Sequence, residues 1–272
     1  MRKSLLTLAL VLSTAPAAPG ATVFAQQQGR AERWMRNCDD YDGDYERFCE
    51  IRDVTIRVPQ RGLFVDGRDN GGVAFYAWDK NEVLVRALIQ TTGDTRADAQ
   101  AMAKDVKVLT DGDRIRADGP ASRRHSWWSV SYEVWVPRKT NLDADTHNGG
   151  ISVDGVEGKM ELRAVNGGIT LREVGGDVRA ETTNGGVSAQ LSGTKWNGEG
   201  LDLQTTNGGV GLDIPRGYNA ELETGTVNGG MNIDFPITVQ GFIGRRINTK
   251  LGVGGPRVRA TTTNGGVRIR ER

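Results

Sequence analysis

Histidine and cysteine are nearly absent, with two of each in 272 residues. His125 and His147 are too few and too scattered for a zinc site or a catalytic triad. Cys38 and Cys49 lack the Cys-x-x-Cys spacing of a reactive pair. There is no Gly-x-Ser-x-Gly elbow and no Walker or Rossmann glycine loop. An excess of charge of one sign is missing too. Lys+Arg number 35 against 34 Asp+Glu, which gives no pull toward nucleic acid or an acidic membrane surface. Aromatic residues are only 6% of the chain and lie mostly in its N-terminal half.

The apolar run over residues 5–12 is well short of the ~20 residues that span a bilayer. It follows Arg2 and Lys3 and leads to Val23-Phe-Ala25, a small-x-small site. Residues 1–25 therefore read as a secretory signal cleaved after Ala25, with no cysteine placed to carry a lipid. Without the leader the mature chain is near neutral, and a periplasmic or extracellular location is expected. In an exported chain the default for Cys38 and Cys49 is a disulfide, worth roughly 3 kcal/mol in the chain-entropy model. Between them, Asp40, Asp42 and Asp44 suggest a calcium loop, but Gly43 is misplaced and the distal Glu is wrong for an EF-hand. A solvated acidic loop is the better reading.

Glycine is what the chain has in excess, at 37 residues, about twice the usual share. Much of it is spent in Asn-Gly-Gly, at Asn148, Asn166, Asn184, Asn207, Asn228 and Asn264, with an outlying copy at Asn70. The six clustered copies are separated by 18, 18, 23, 21 and 36 residues. A unit this short cannot bury a core alone, so the copies are expected to stack.

Reading back from each Asn in steps of two gives Thr or Ala, then small or leucine residues, then Leu, Met or Val. The alternate positions are mostly polar, as in Asp143 and Asp145, Glu161 and Arg163, Arg179 and Glu181. Period two with one apolar face marks a β-strand. The asparagines share the inward parity, so a buried, mutually bonded amide ladder is expected. The glycines after them would supply positive φ at a corner. A second strand follows each corner, and Gly158 and Gly175-Gly176 mark a second corner. The expected fold is all-β, a parallel β-helix of ~18–23-residue coils. A meander of Asn-Gly hairpins would show the same alternation but needs no agreement between copies at three inward positions.

Four segments follow: the signal at 1–25, a disulfide-closed stretch at 26–51, a strand-rich cap with a degenerate first coil at 52–136, and the repeats at 137–272. Strands are expected at 54–58, 63–65, 73–78 and 82–90. The one expected helix covers 95–104, with Asp94 or Thr95 as N-cap. A hairpin turns at Asp111-Gly-Asp. The strand at 127–136 puts Trp128, Val130, Tyr132, Val134 and Val136 on one face. The final strand, Val267-Arg-Ile-Arg-Glu-Arg272, is expected as a charged edge that resists further pairing.

The run Val130-Ser-Tyr-Glu-Val-Trp-Val-Pro, followed by repeated Thr-x-Asn-Gly-Gly-[Ile/Val], resembles the bacterial adhesin-like β-strand-repeat family. That is a domain family of unknown function related to adhesin-head domains. The resemblance covers roughly Arg52 to the C-terminus. It implies a β-helical exported protein and carries no catalytic residues to transfer.

Asp143, Asp145 and His147 alternate on one strand and could face a divalent metal. Neighbouring coils put Glu161/Arg163 and Arg179/Glu181 in the same places, so a solvated polar face with an Asp145–Arg163 pair is the stronger reading. Gly208-Gly-Val-Gly-Leu-Asp213 fits a calcium-roll pattern. Arg172, Gln190 and Arg270 occupy the Asp slot in other coils, which excludes calcium between turns. No metal, cofactor or catalytic residue is expected.

The expected function is a non-catalytic interaction module for a cell-envelope or surface ligand, protein or glycan. Trp196 and the inserted loop at 241–255 are its expected hot spots. The alternatives are a polysaccharide lyase or hydrolase using outward carboxylates and a purely structural envelope component.

Overall fold

The structure is a computed structural model describing residues 29–38, 43–238 and 244–272. The signal segment, its cleavage site at Ala25, Asp40 and Asp42 lie outside the described residues. The chain divides into two units, 1–41 and 42–272. In the first, residues 29–38 form a helix, α1. The sequence reading missed this helix because the stretch carries Arg30, Glu32, Arg33 and Arg36 and no clean apolar stripe. Both cysteines, Cys38 and Cys49, are disulfide-bonded.

The second unit is two ten-stranded sheets. It opens with β1 (Glu46–Ile56), β2 (Leu63–Asp66), β3 (Val73–Trp78) and β4 (Val83–Gly93), then α2 (Arg96–Asp105), β5 (Lys107–Asp111), β6 (Arg114–Asp118) and β7 (Trp128–Pro137). Helix α2 starts where its caps dictate. The Thr95 hydroxyl accepts from the Asp98 amide at 3.2 Å while the Asp98 carboxylate accepts from the Thr95 amide at 3.2 Å, a closed capping box. Its end is held by the Arg52 guanidinium, which donates to the carbonyls of Val106 (2.6 Å) and Ala103 (2.8 Å).

The repeat strands alternate between the sheets. One sheet takes β8 (Leu142–Thr146), β10 (Glu157–Ala164), β12 (Gly175–Asn184), β14 (Gly200–Asn207), β16 (Ala220–Asn228) and β19 (Arg257–Asn264). The other takes β9 (Ile151–Asp154), β11 (Ile169–Arg172), β13 (Val187–Gln190), β15 (Val210–Ile214), β17 (Met231–Ile233) and β20 (Val267–Glu271). Equivalent repeat positions pair in parallel, for example Leu162 with Ala180 and Thr205 with Thr262. Asn70 belongs to this stack, because β2 pairs in parallel with β8 and β3 with β9. The architecture is all-β and solenoid-like.

The inward columns are buried. Leu142, Met160, Val178, Leu201, Val258 and Leu222 are each no more than 3% exposed, and Ile151, Ile169, Val187, Val210 and Val267 face them from the other sheet. At roughly 1.5–3 kcal/mol for each fully buried aliphatic side chain, these columns dominate the stabilisation.

The stack does not follow chain order. β19 and β20 insert between the coil of Asn207 and the coil of Asn228, so the last strand of the chain is interior to its sheet rather than a charged edge. The outward charges agree with this order. In register, Arg259 lies between Asp202 and Glu223, at 3.3 Å from each. In the other sheet Arg270 pairs with Asp213 at 2.9 Å. Had β16 stacked directly on β14, two carboxylates would stand side by side. The segment at 241–255 is also not a plain insertion: β18 (Arg246–Leu251) pairs antiparallel with β16. Residues 241–243 lie outside the described residues.

The asparagines are not buried. All of Asn148, Asn166, Asn184, Asn207, Asn228 and Asn264 are exposed. The corner begins at each Asn and the pleat ends, so inward parity stops two residues earlier at the buried threonines. Positive φ does not account for the glycines behind them either. Among the first glycines of the six copies only Gly265 has it, at 156°. Close approach does. A Cβ on Gly167, Gly185 or Gly208 would stand under 3.0 Å from the carbonyl oxygen of the first glycine in the coil before it. Only hydrogen fits between stacked corners.

Candidate interaction surface

At the first corner, Asn166 Nδ2 donates to Asn148 Oδ1 at 2.9 Å, Asn184 to Asn166 at 2.8 Å and Asn207 to Asn184 at 2.9 Å. Asn264 donates to Asn207 and Asn228 to Asn264, both at 2.8 Å. Asn148 closes the series on Asn70 at 3.1 Å. Behind this exposed ladder the threonine hydroxyls pin the corners from inside. Thr182, Thr205 and Thr262 donate to the carbonyls of Gly167, Gly185 and Gly208 at 2.7, 2.8 and 2.8 Å. Where the threonine is present to reach across, as at Thr182, Thr205, Thr262 and Thr226, a coil bonds its neighbour from both sides of the corner; Ala164 has no hydroxyl, and Thr146 bonds Gly149 of its own corner.

The outer face of the β8–β16 sheet is charged and internally matched. Arg163 contacts Asp143 (3.4 Å), Asp145 (3.5 Å) and Glu161. The Asp143 carboxyl is held above its ordinary range, first by desolvation and then by the neighbouring Asp145 charge, with Arg163 opposing. His147 does not join the aspartates on a strand face: β8 ends at Thr146, and the His147 amide donates to the Arg68 carbonyl at 3.0 Å in the corner. Among the described residues no cluster of three or more His, Cys, Asp or Glu is placed to hold a metal ion. Asp213, the calcium-roll position, is the partner of Arg270.

Trp196 is not a surface residue. It is 2% exposed, and its Nε1 donates to the Gly176 carbonyl at 2.8 Å. The inserted loop folds its indole back onto the second corner, where Gly158 and Gly176 stack as closely as the first-corner glycines. An outward aromatic on the sheet of β8 and β10 is instead Phe64, half-buried under the Arg114 guanidinium at 4.3 Å. Phe64, Arg114, Arg61, Asp143, Lys159 and Glu161 line an open cleft of about 350 Å³. The sequence reading missed it because it needs β2, β6 and β8 side by side. The period-two polarity of Leu63-Phe-Val-Asp66 was the available signal, since it turns Phe64 outward.

No helix among the described residues is long and apolar enough to cross a membrane. The Toastrack DUF4097 family profile matches residues 90–270. Comparison with curated proteins returns no match. Among solved structures, the chain is similar to a candidate cell adhesion protein from Clostridium sporogenes, with 11% identity, a TM-score of 0.41 and coverage of 84% of this chain and 100% of that one. A candidate adhesin from Bacteroides fragilis shows 10% identity, a TM-score of 0.35 and coverage of 83% and 97%. A candidate lipid-binding protein from Parabacteroides distasonis shows 8% identity, a TM-score of 0.33 and coverage of 82% and 96%.

Proposed function

We propose that this chain, which belongs to the Toastrack DUF4097 family, is an exported, non-catalytic binding module for a cell-envelope or surface ligand, protein or glycan. Each Asn-Gly-Gly copy would close one coil of a parallel β-helix, with 137–272 as the repeats and 52–136 as cap and first coil. The ligand would lie along the outward side chains and make many weak contacts on a pre-ordered surface.

The observation that carries this reading is the matching of outward charge. Asp143, Asp145, Asp202, Glu223 and Asp213 each have an Arg partner on a neighbouring strand. Carboxylates engaged in this way are poor general bases, and no two of them stand free across a cleft as glycoside hydrolysis requires. A rigid face of alternating charge suits recognition instead. The leader at 1–25 and the oxidised cysteines support export.

The test is capture of the mature chain on immobilised envelope fractions, with and without protease and glycosidase treatment of the fraction. Saturable capture that one treatment abolishes supports a binding module and assigns the ligand class. Absence of capture from every fraction would leave the purely structural reading in its place.

The carbohydrate-processing reading has one observation in its favour. Asp143, with its raised proton affinity, borders the cleft that also contains Phe64 and Arg114. Turnover of a polysaccharide that Asp143→Ala abolishes would establish it.

A further inference from the structure

The amide ladder has a free donating end, and that end opens into a cavity. Each Asn passes its Nδ2 to the Oδ1 of the next, from Asn228 down to Asn70. Asn70 accepts from Asn148 at 3.1 Å, and its own Nδ2 has no acceptor among the described residues.

The coil beyond Asn70 is built by β6 and β7, which pair in parallel with β2 and β3. It has no Asn-Gly-Gly. Extending the β2–β6 register puts Pro120 opposite Asn70, and extending the β3–β7 register puts Ser129 there. Between these two positions the chain detours, and the place of the missing rung is a cavity of about 260 Å³.

Its walls are specific. Trp128 is half-buried and fixed by its Nε1, which donates to the Pro120 carbonyl at 2.8 Å. Tyr132 is 2% exposed, yet its hydroxyl has no hydrogen-bond partner. A buried hydroxyl left unpaired costs free energy unless something else meets it. Arg68, Asp69 and Asp118 are the charged side chains lining the cavity. Arg68 donates to the Ala117 carbonyl at 2.8 Å and contacts Asp118 at 3.4 Å. Its backbone sits in the left-handed region at φ 51° to do so. The site thus offers one free amide N–H, one unpaired hydroxyl and an indole wall, with the Arg68–Asp118 pair and the Asp69 carboxylate at its rim, a setting that suits a neutral ligand and not an anion.

We propose that this cavity binds a neutral acetamido sugar, an N-acetylhexosamine unit, whose carbonyl oxygen takes the place of the missing asparagine Oδ1. The carbonyl accepts from Asn70 Nδ2, a sugar hydroxyl or the acetamido N–H meets the Tyr132 hydroxyl, and the apolar side of the ring or methyl lies on Trp128. The volume is just below the roughly 300 Å³ at which drug-sized sites begin, which fits a single ring rather than a chain of them. This inference rests on the reading of the chain as a binding module.

The experiment is ligand-observed NMR on the purified full chain with N-acetylglucosamine, glucosamine, glucose and N-acetylasparagine amide as probes. Asn70→Asp is the informative variant, because a carboxylate still accepts from Asn148 but offers no donor to a carbonyl. Expected are saturable binding of N-acetylglucosamine, at least about tenfold weaker binding of glucose and glucosamine, and about a tenfold loss on Asn70→Asp with melting unchanged. Tyr132→Phe should weaken binding severalfold.

Equal binding of glucose, or unchanged binding by Asn70→Asp, would overturn the proposal. Tighter binding of N-acetylasparagine amide than of the sugar would also overturn it, in favour of a peptide ligand. If no sugar binds while envelope fractions still capture the chain, the cavity assignment falls and the binding-module reading stands.

Discussion

Asn264 donates its side-chain amide to Asn207 at 2.8 Å across 57 positions of sequence, whereas Asn228, the next copy after Asn207, is reached only through Asn264. The last coil of the chain is therefore an interior rung. Completion of the stack waits for β19 and β20.

Removing residues 257–272 should abolish cooperative unfolding rather than fray one end. The deletion takes out Val258, Ala260, Val267 and Ile269, all at most 2% exposed, and leaves Asp202 facing Glu223. Circular dichroism during urea unfolding reads this directly. Retention of a sharp transition at the original midpoint would mean that the coil of Asn228 can close onto the coil of Asn207 without it.

The two glycines of one copy should differ sharply. Gly208→Ala puts a Cβ under 3.0 Å from the Gly185 carbonyl, which is backbone and cannot swing aside as a flexible side chain would. A cost of about 1–3 kcal/mol or more is expected. Gly209→Ala meets the Gly266 carbonyl at 3.4 Å, an ordinary contact, and should cost well under half as much. Equal costs in urea titrations would remove close approach as the reason for the first glycine.

Inside the corner matters more than outside. Thr205→Val strips a buried hydroxyl from the Gly185 carbonyl and should cost about 1–2 kcal/mol. Asn184→Ala leaves Asn166 and Asn207 in contact with water, which replaces the lost partners, so about 1 kcal/mol or less is expected. The opposite ranking would make the exposed ladder the principal tie between coils.

Much of this was legible in the chain. The Asn-Gly-Gly spacing gave the register, because a side-chain period of two lets equivalent positions stack only one way. Thr95 and Asp98 announced the helix start to within a residue. The outward turn of the asparagines was not legible, since parity counting assumes the pleat continues and here it ends at the corner. Nor was the position of the last coil, although Asp202, Glu223 and Arg259 carried the information: reading it requires knowing which strands compete for the same neighbour. Trp196 misled for a related reason. An inserted loop looks like surface until the carbonyl of Gly176 is seen to accept its indole N–H.

Asp143 sets a pH dependence. Its folded-state proton affinity is raised, by desolvation and by Asp145, so the folded chain binds a proton more tightly than the unfolded chain does. The group therefore costs stability above its folded pKa and ceases to do so as pH falls through the window between the raised and the ordinary carboxylate value. Asp143→Asn should be more stable than the parent at pH 7, with the difference closing as the pH drops into that window. A less stable variant at pH 7 would show that the contact with Arg163 outweighs burial.

The central claim is that the outward face touches its ligand and does not react with it. Incubating the purified chain with isolated envelope polysaccharide, while following both retention on the polymer and the appearance of reducing or unsaturated ends, tests it most directly. Saturable retention with no new ends is the predicted result. New ends that accumulate with time and vanish in Asp143→Ala or Asp145→Ala would contradict it.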